Sequence, residues 1–420
     1  MKTLKVDGSR CLPGKPARNS RKFPGGVYWN RYLKWKQLNH CAAPVNRRRD
    51  NQPTMENIFT AFFSDVSAVC GHEATLHANF MHHLLADGAP YTAPMREHRM
   101  GGRRIDLVLS AVRHDGTWTA CASPTTAFEF KGGAYGTRNA LRDVIDADGY
   151  CPDLDRLVAL RDEGLECWFV CSDMAELGIS LSPGVQLQVA TQCARRGIHF
   201  AYHAQGNDRC LIARAGRPLQ RPKLQATAPA VAPHARWQDS LPLLAGMLSH
   251  SGFTEDTAAG VVYHALQRSG FNARQVSLET YFKCARARGR MQQRPDICVF
   301  GDRVGGRFNL YRAGDPARPN DGIKIGDLRA LIEIKGSDRT ARSGERSFAS
   351  QVSKDIDRLG LWRARFEASG YLPALEAARP DYVMIAIDNR KVPLPSGLLQ
   401  DLVFQADRQA VVFHYLRIAP

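Results

Sequence analysis

Residues 329–339, RALIEIKGSDR, place an acid and a lysine one residue apart inside an apolar run. Leu331, Ile332 and Ile334 predict a short buried strand, because branched apolar side chains favour a pleated, half-buried surface. Side chains alternate faces along a strand, so Glu333 and Lys335 share one. Two charges on one face of a buried strand need a reason, since an unpaired charge is costly to desolvate. Two reasons are open at this point: a salt-bridged pair at a strand end, or a metal-dependent active site.

The same arrangement occurs a second time. AFEFKGG at 127–133 sets Glu129 and Lys131 on one strand face. Upstream of each copy lies a strand with an aspartate two residues after an arginine: RIDLVL, with Arg104 and Asp106, and RPDICV, with Arg294 and Asp296. Further upstream a helical segment starts with an acid, Glu73 in HEATLHANF and Glu255 in TEDTAAGVV. Downstream, PDLDRL (Asp153, Asp155, Arg156) answers KDIDRL (Asp355, Asp357, Arg358). Lys131 to Asp155 is 24 residues and Lys335 to Asp357 is 22, while Asp106 to Glu129 is 23 and Asp296 to Glu333 is 37. The excess falls in a Gly- and Asp-rich run suited to a longer loop.

Working outward, the repeat orders the whole chain. At 420 residues it is about twice a usual single domain. A basic arm (1–52), a first half (53–214), a Pro- and Ala-rich stretch expected as a linker (215–236) and a second half (237–420) divide it. Each half reads as helices, two strands, a helix, a strand and a helix–strand pair, so the same unit is written twice. Residues 1–50 hold 13 Lys or Arg against 2 Asp or Glu, with Phe23, Tyr28, Trp29, Tyr32 and Trp35 interleaved. That suits backbone contact with base stacking; a basic leader with one short helix is the plainer alternative. The net charge of +16 points to a polyanionic partner, most often nucleic acid. The absence of a long apolar run argues against a membrane span. Eleven scattered cysteines read as free thiols of a reducing cytoplasm. His82 and His83 read as packing or surface residues rather than ligands.

With both copies laid out, the chain resembles the PD-(D/E)XK, or restriction-endonuclease-like, nuclease superfamily. Half two carries Pro295-Asp296 and Glu333-x-Lys335; half one departs by having Ile105 where proline is usual. The resemblance covers most of 57–204 and 237–418. It implies an α/β fold of two tandem restriction-endonuclease-like domains, each a mixed central β-sheet flanked by helices. It also implies Mg²⁺ chemistry, with Mn²⁺ as a substitute: Asp106, Glu129, Asp296 and Glu333 as metal ligands, and Lys131 and Lys335 beside the metal. Glu73 and Glu255 then resemble the helical acid that holds a second metal or a metal-bound water. The cation offsets phosphate charge and acidifies an attacking water, and the lysines orient or deprotonate it. Basic residues cluster ahead of each aspartate: Arg96, Arg99, Arg103 and Arg104, then Lys283, Arg286, Arg288, Arg290 and Arg294. Phosphate contacts from Arg103, Arg104, Arg290 and Arg294 would set register on a duplex without reading bases. The leading expectation is a Mg²⁺-dependent DNA endonuclease in which each half cuts one strand, in a setting such as restriction, phage defence or toxicity. An RNase or structure-specific repair nuclease is the first alternative. A nucleic-acid-binding protein with only the second half, or neither, catalytic is the other. Should a single half work, the second, with the fuller motif, is favoured.

Overall fold

Two mixed sheets, one on either side of the Pro-rich stretch, follow one strand plan. The computed structural model describes residues 54–69, 71–91, 93–100, 102–110, 124–132, 152–173, 180–204, 206–225, 235–249, 254–280, 294–306, 308, 327–337, 345–368, 379–390 and 392–418. The basic arm, Lys283, Arg286, Arg288 and Arg290 lie outside the described residues.

Half one runs α1 (Met55–Val66), α2 (Glu73–Ala86), β1 (Pro94–Met100), β2 (Arg103–Ser110), β3 (Pro124–Gly132), α3 (Pro152–Asp162), β4 (Glu166–Asp173), α4 (Pro183–Arg195), β5 (His199–Ala204) and β6 (Leu211–Ala213). Half two runs a 3-10 turn (Trp237–Ser240), α5 (Leu241–Ser249), α6 (Glu255–Arg268), β7 (Val276–Leu278), β8 (Ile297–Phe300), β9 (Leu328–Gly336), α7 (Glu345–Ala368), β10 (Asp381–Asp388), α8 (Ser396–Gln409) and β11 (Val412–Arg417). The first sheet is ordered β1-β2-β3-β4-β5-β6 and the second β7-β8-β9-β10-β11. In both, the first three strands are antiparallel and the third to fifth parallel.

Register makes the repeat residue-specific. Leu107 faces Phe128 as Ile297 faces Ile332, and Lys131 faces Cys171 as Lys335 faces Ala386. A buried aspartate ends the fourth strand of each sheet and accepts a tyrosine hydroxyl from the fifth: Asp173 from Tyr202 at 2.9 Å, and Asp388 from Tyr415.

Strand alternation decides what each face buries. On β4, Cys167, Phe169 and Cys171 join the cluster under α3 and α4, while Trp168 and Val170 point to the aromatic layer of Phe59, Phe62 and Phe80. Glu129 interrupts that pattern on β3, buried between Phe128 and Phe130. The aromatic layer is continuous with the core of half two, and residues Pro53–Pro420 form one unit. Helices α2 and α6 meet closely: Asn79 donates to the Tyr263 hydroxyl at 3.0 Å, and a Cβ on Gly260 would lie 2.5 Å from the Met81 sulfur.

Three strands go beyond the sequence expectation: β1, β7 and β6. PMREHRM lacks clean alternation, and the other two are three residues long. The stretch expected as an extended linker begins otherwise in its described part. Gln220 and Ile212 exchange both backbone bonds, at 2.9 and 3.0 Å, and Cys210 donates to the Pro222 carbonyl, so 217–224 runs back along β6. Prolines 218 and 222 are tolerated there because this is an edge. Five described cysteines (167, 171, 193, 210 and 298) are buried. No described helix is long and apolar enough to cross a membrane.

Candidate metal centre and its copy

The motif aspartates are set by backbone. Asp106 Oδ2 accepts the Phe130 N–H at 2.8 Å, and Asp296 Oδ2 accepts that of Ile334 at 2.7 Å. Each bond pins the second strand's carboxylate to the residue between Glu and Lys on the third. Glu129 and Glu333 are fully buried. Helices α2 and α6 then aim their first residues at the lysines: Glu73 lies 3.6 Å from Lys131, and both Glu255 oxygens accept from Lys335 at 2.8 and 2.9 Å. The six catalytic candidates on the strands and the two helix acids therefore assemble as two clusters of four.

Two residues per half complete each cluster. Asp153, at the start of α3, lies 3.0 Å from Lys131, and Asp355, on α7, lies 3.5 Å from Lys335. Arg156 reaches Glu129 at 3.4 Å and also pairs with Asp153; Arg358 grips Glu333 with two nitrogens and lies 3.1 Å from Asp355. The inner aspartate of each Asp-x-Asp-Arg run faces the site, while Asp155 and Asp357 lie exposed on the far side.

Half one contains a residue its copy lacks. His77, one turn after Glu73, is buried, and the matching position in half two is Ala259. Its Nε2 lies 3.7 Å from Asp106 and 4.0 Å from Glu73; its Nδ1 lies 3.5 Å from Glu97. Neither ring nitrogen makes a well-formed hydrogen bond, and Glu129 Oε1 is likewise buried without one. Donor atoms of Glu73, His77 and Asp106 lie within 4.8 Å of one another, the one such trio among the described residues. Orphaned buried donors around a mixed carboxylate–imidazole set fit a divalent cation, whose charge would satisfy them. This trio falls in half one, not in the half with the fuller motif.

The electrostatics are those of carboxyl groups held out of water, where burial disfavours the charged form. Burial, reinforced by Asp106, holds Glu129 well above the ordinary carboxylate range. Burial and then the charge of Glu255 push Asp296 up to about 7, and burial with Asp296 holds Glu333 well above the ordinary carboxylate range. Burial pulls Lys131 down, but Glu73, Asp106 and Glu129 outweigh it; Glu255 does the same for Lys335. The halves differ in how the acids are answered. In half two, Lys335 and Arg358 bond directly to Glu255 and Glu333. In half one, the matching contacts are longer, 3.6 and 3.4 Å.

The proposed phosphate-contacting arginines fare unequally. Arg103 and Arg99 are exposed. Arg104 pairs with Glu97 and lies 3.6 Å from Asp256, and Arg294 pairs with Glu279 at 3.2 Å and with His72. Arg96 is 1 % exposed and donates to the Asp256 carbonyl at 2.9 Å, so it is not available to a phosphate. Glu97 and Glu279 follow equivalent positions of β1 and β7, opposite the motif aspartates, and both adopt φ of 50°. Sequence reading passed over them and His77: their surroundings show no motif spacing.

Comparison with protein-family models, with curated proteins and with solved structures returns no match to this chain.

Proposed function

We propose that the chain is a divalent-metal-dependent phosphodiester hydrolase of the restriction-endonuclease-like type, acting on DNA. The observation that carries this reading is the trio Glu73, His77 and Asp106 beside buried Glu129 and Lys131. Glu73, His77 and Asp106, with Glu129, would hold the metal, which when bound supplies charge compensation for a phosphate and a more acidic water. Asp106 stays oriented by the Phe130 N–H. Lys131, held cationic by the surrounding acids, is placed to bond a phosphate oxygen and to steady the attacking water. Arg156 keeps Glu129 turned toward the centre, and the aromatic layer behind Phe130 excludes water. The imidazole shifts the donor set from a pure Mg²⁺ site toward Mn²⁺. The exposed Arg99 and Arg103 lead to the site and suit backbone phosphates.

Half two supports a second role for itself. Its lysine and arginine already neutralise Glu255 and Glu333 at bonding distance, and Ala259 removes the imidazole. That favours a centre that positions the substrate or cuts more slowly than half one.

The test is cleavage of supercoiled plasmid with Mg²⁺ or Mn²⁺ by wild type, Lys131→Ala, Lys335→Ala and the double variant. Loss of cleavage in Lys131→Ala, with a milder defect in Lys335→Ala, is expected. Activity persisting in excess EDTA would reject the metal-dependent mechanism. Cleavage of single-stranded or structured RNA, with plasmid untouched, would move the substrate to RNA.

A further inference from the structure

The two centres are joined by a pair of reciprocal clasps. In each half, a strained glutamate lies opposite the motif aspartate: Glu97 opposite Asp106 and Glu279 opposite Asp296. A non-glycine residue at φ of 50° costs on the order of 1 kcal/mol or more and persists where its surroundings impose it. Here the surroundings match in both halves. The residue before each glutamate donates its backbone N–H to a buried threonine of the other half: Arg96 to Thr257 at 3.0 Å, Leu278 to Thr75 at 2.9 Å. Each glutamate pairs with the arginine two residues before its motif aspartate, Glu97 with Arg104 and Glu279 with Arg294. Each arginine then reaches the start of the other half's acid-bearing helix. Arg104 lies 3.6 Å from Asp256, the neighbour of Glu255; Arg294 bonds His72, the neighbour of Glu73.

We propose that these clasps couple the two centres, making Glu97, Arg104, Asp256 and their counterparts positioning residues that transmit the state of one site to the other. Charged contacts, joined by one backbone step at each helix start, run from one centre to the other. From Lys335 they pass to Glu255, whose neighbour Asp256 meets Arg104; Arg104 holds Glu97, and Glu97 stands 3.5 Å from His77. In the other direction they pass from Lys131 to Glu73, whose neighbour His72 meets Arg294 and lies 3.3 Å from Glu279, which donates its backbone N–H to the Asp296 carbonyl. Rearranging the lysine–acid pair of half two shifts the first turn of α6, and the Arg104 clasp hands that shift to the imidazole of half one. The proposal rests on the functional reading only in taking the two clusters as working centres.

The experiment uses the full chain and follows the His77 ring signals by NMR, first without metal. Lys335→Ala, and separately Glu255→Gln, are each placed in unaltered protein and in an Arg104→Ala background. Both are expected to move the His77 signals in unaltered protein and to leave them in place once Arg104 is gone. No movement, or equal movement in both backgrounds, would overturn the coupling. With Mn²⁺ added, the same cycle is expected to show about a fivefold or larger change in affinity that depends on Arg104. If Mn²⁺ fails to broaden the His77 signals, the functional reading falls, while the metal-free comparison still decides the coupling.

Discussion

His77 and Glu97 do at residue scale what neither motif announces. His77 brings a nitrogen donor among carboxylates whose burial already leaves them short of positive charge. Calorimetric titration of His77→Ala with Mn²⁺ is expected to show affinity at least about tenfold weaker than wild type; an unchanged isotherm would remove the imidazole from the metal set. A second buried charge group serves stability. Burial alone would raise Asp388, but bonds from Arg390 and Tyr415 outweigh it and hold the carboxyl at about 2. Its folded value lies below its ordinary 3.8, so its contribution is complete above about pH 4 and is lost as pH falls through 2. Unfolding in urea across that range is expected to show a slope that Asp388→Asn lacks. At neutral pH that variant is expected to lose roughly 3 kcal/mol, since it leaves buried guanidinium groups without their counter-charge.

At the scale of elements, the helix starts are the working parts. His72 and Thr254 cap α2 and α6 through their side chains, so Glu73 and Glu255 sit in first turns of defined direction. The threonines one helical position beyond Ala74 and Asp256 tie those turns to β7 and β1. Thr75→Val keeps the shape but strands the buried Leu278 N–H. It is expected to cost about 1–3 kcal/mol in denaturant unfolding, with Thr257→Val alike; stabilities equal to wild type would show that the interface does not depend on these bonds. The third strand ends under a tighter limit. Gly132 has φ of +155° and a Cβ there would lie 2.2 Å from the Ser172 carbonyl oxygen. Gly132→Ala is therefore expected to separate β3 from β4 beside Lys131, read as lower melting temperature together with lost cleavage.

For the whole molecule, one continuous core joins the two copies of the unit within residues Pro53–Pro420. Eleven of the sixteen net positive charges belong to residues 1–50. Deleting residues 1–52 is expected to weaken DNA binding and to flatten its dependence on salt, because fewer counterions are released. Equal salt slopes with and without the arm would reject that role. Because the acids of half two are already answered by Lys335 and Arg358, nicked circles are expected to accumulate before linear plasmid; direct linearisation would mean that both centres cut at similar rates.

Most of the helices and strands were legible because period-two and helical patterns report burial, which drives both halves; β1, β6 and β7 were not, being irregular in pattern or three residues long. The Asp–Glu–Lys sets were legible because the same residue types recur at strand spacing in both halves. Other features were decided only in three dimensions. Asp153 and Asp155 are equivalent as letters, and the rotation of α3 about its axis selects Asp153. His77 has an alanine as its mate, so no repeat marked it. Glu97 and Glu279 are distinguished by a backbone angle, which a side-chain pattern does not encode. Arg96, Arg104 and Arg294 read as surface cations; packing of one half against the other buried Arg96 and gave Arg104 and Arg294 partners across it. Local sequence specifies which face of an element avoids water; which charged groups then meet depends on how distant elements are brought together.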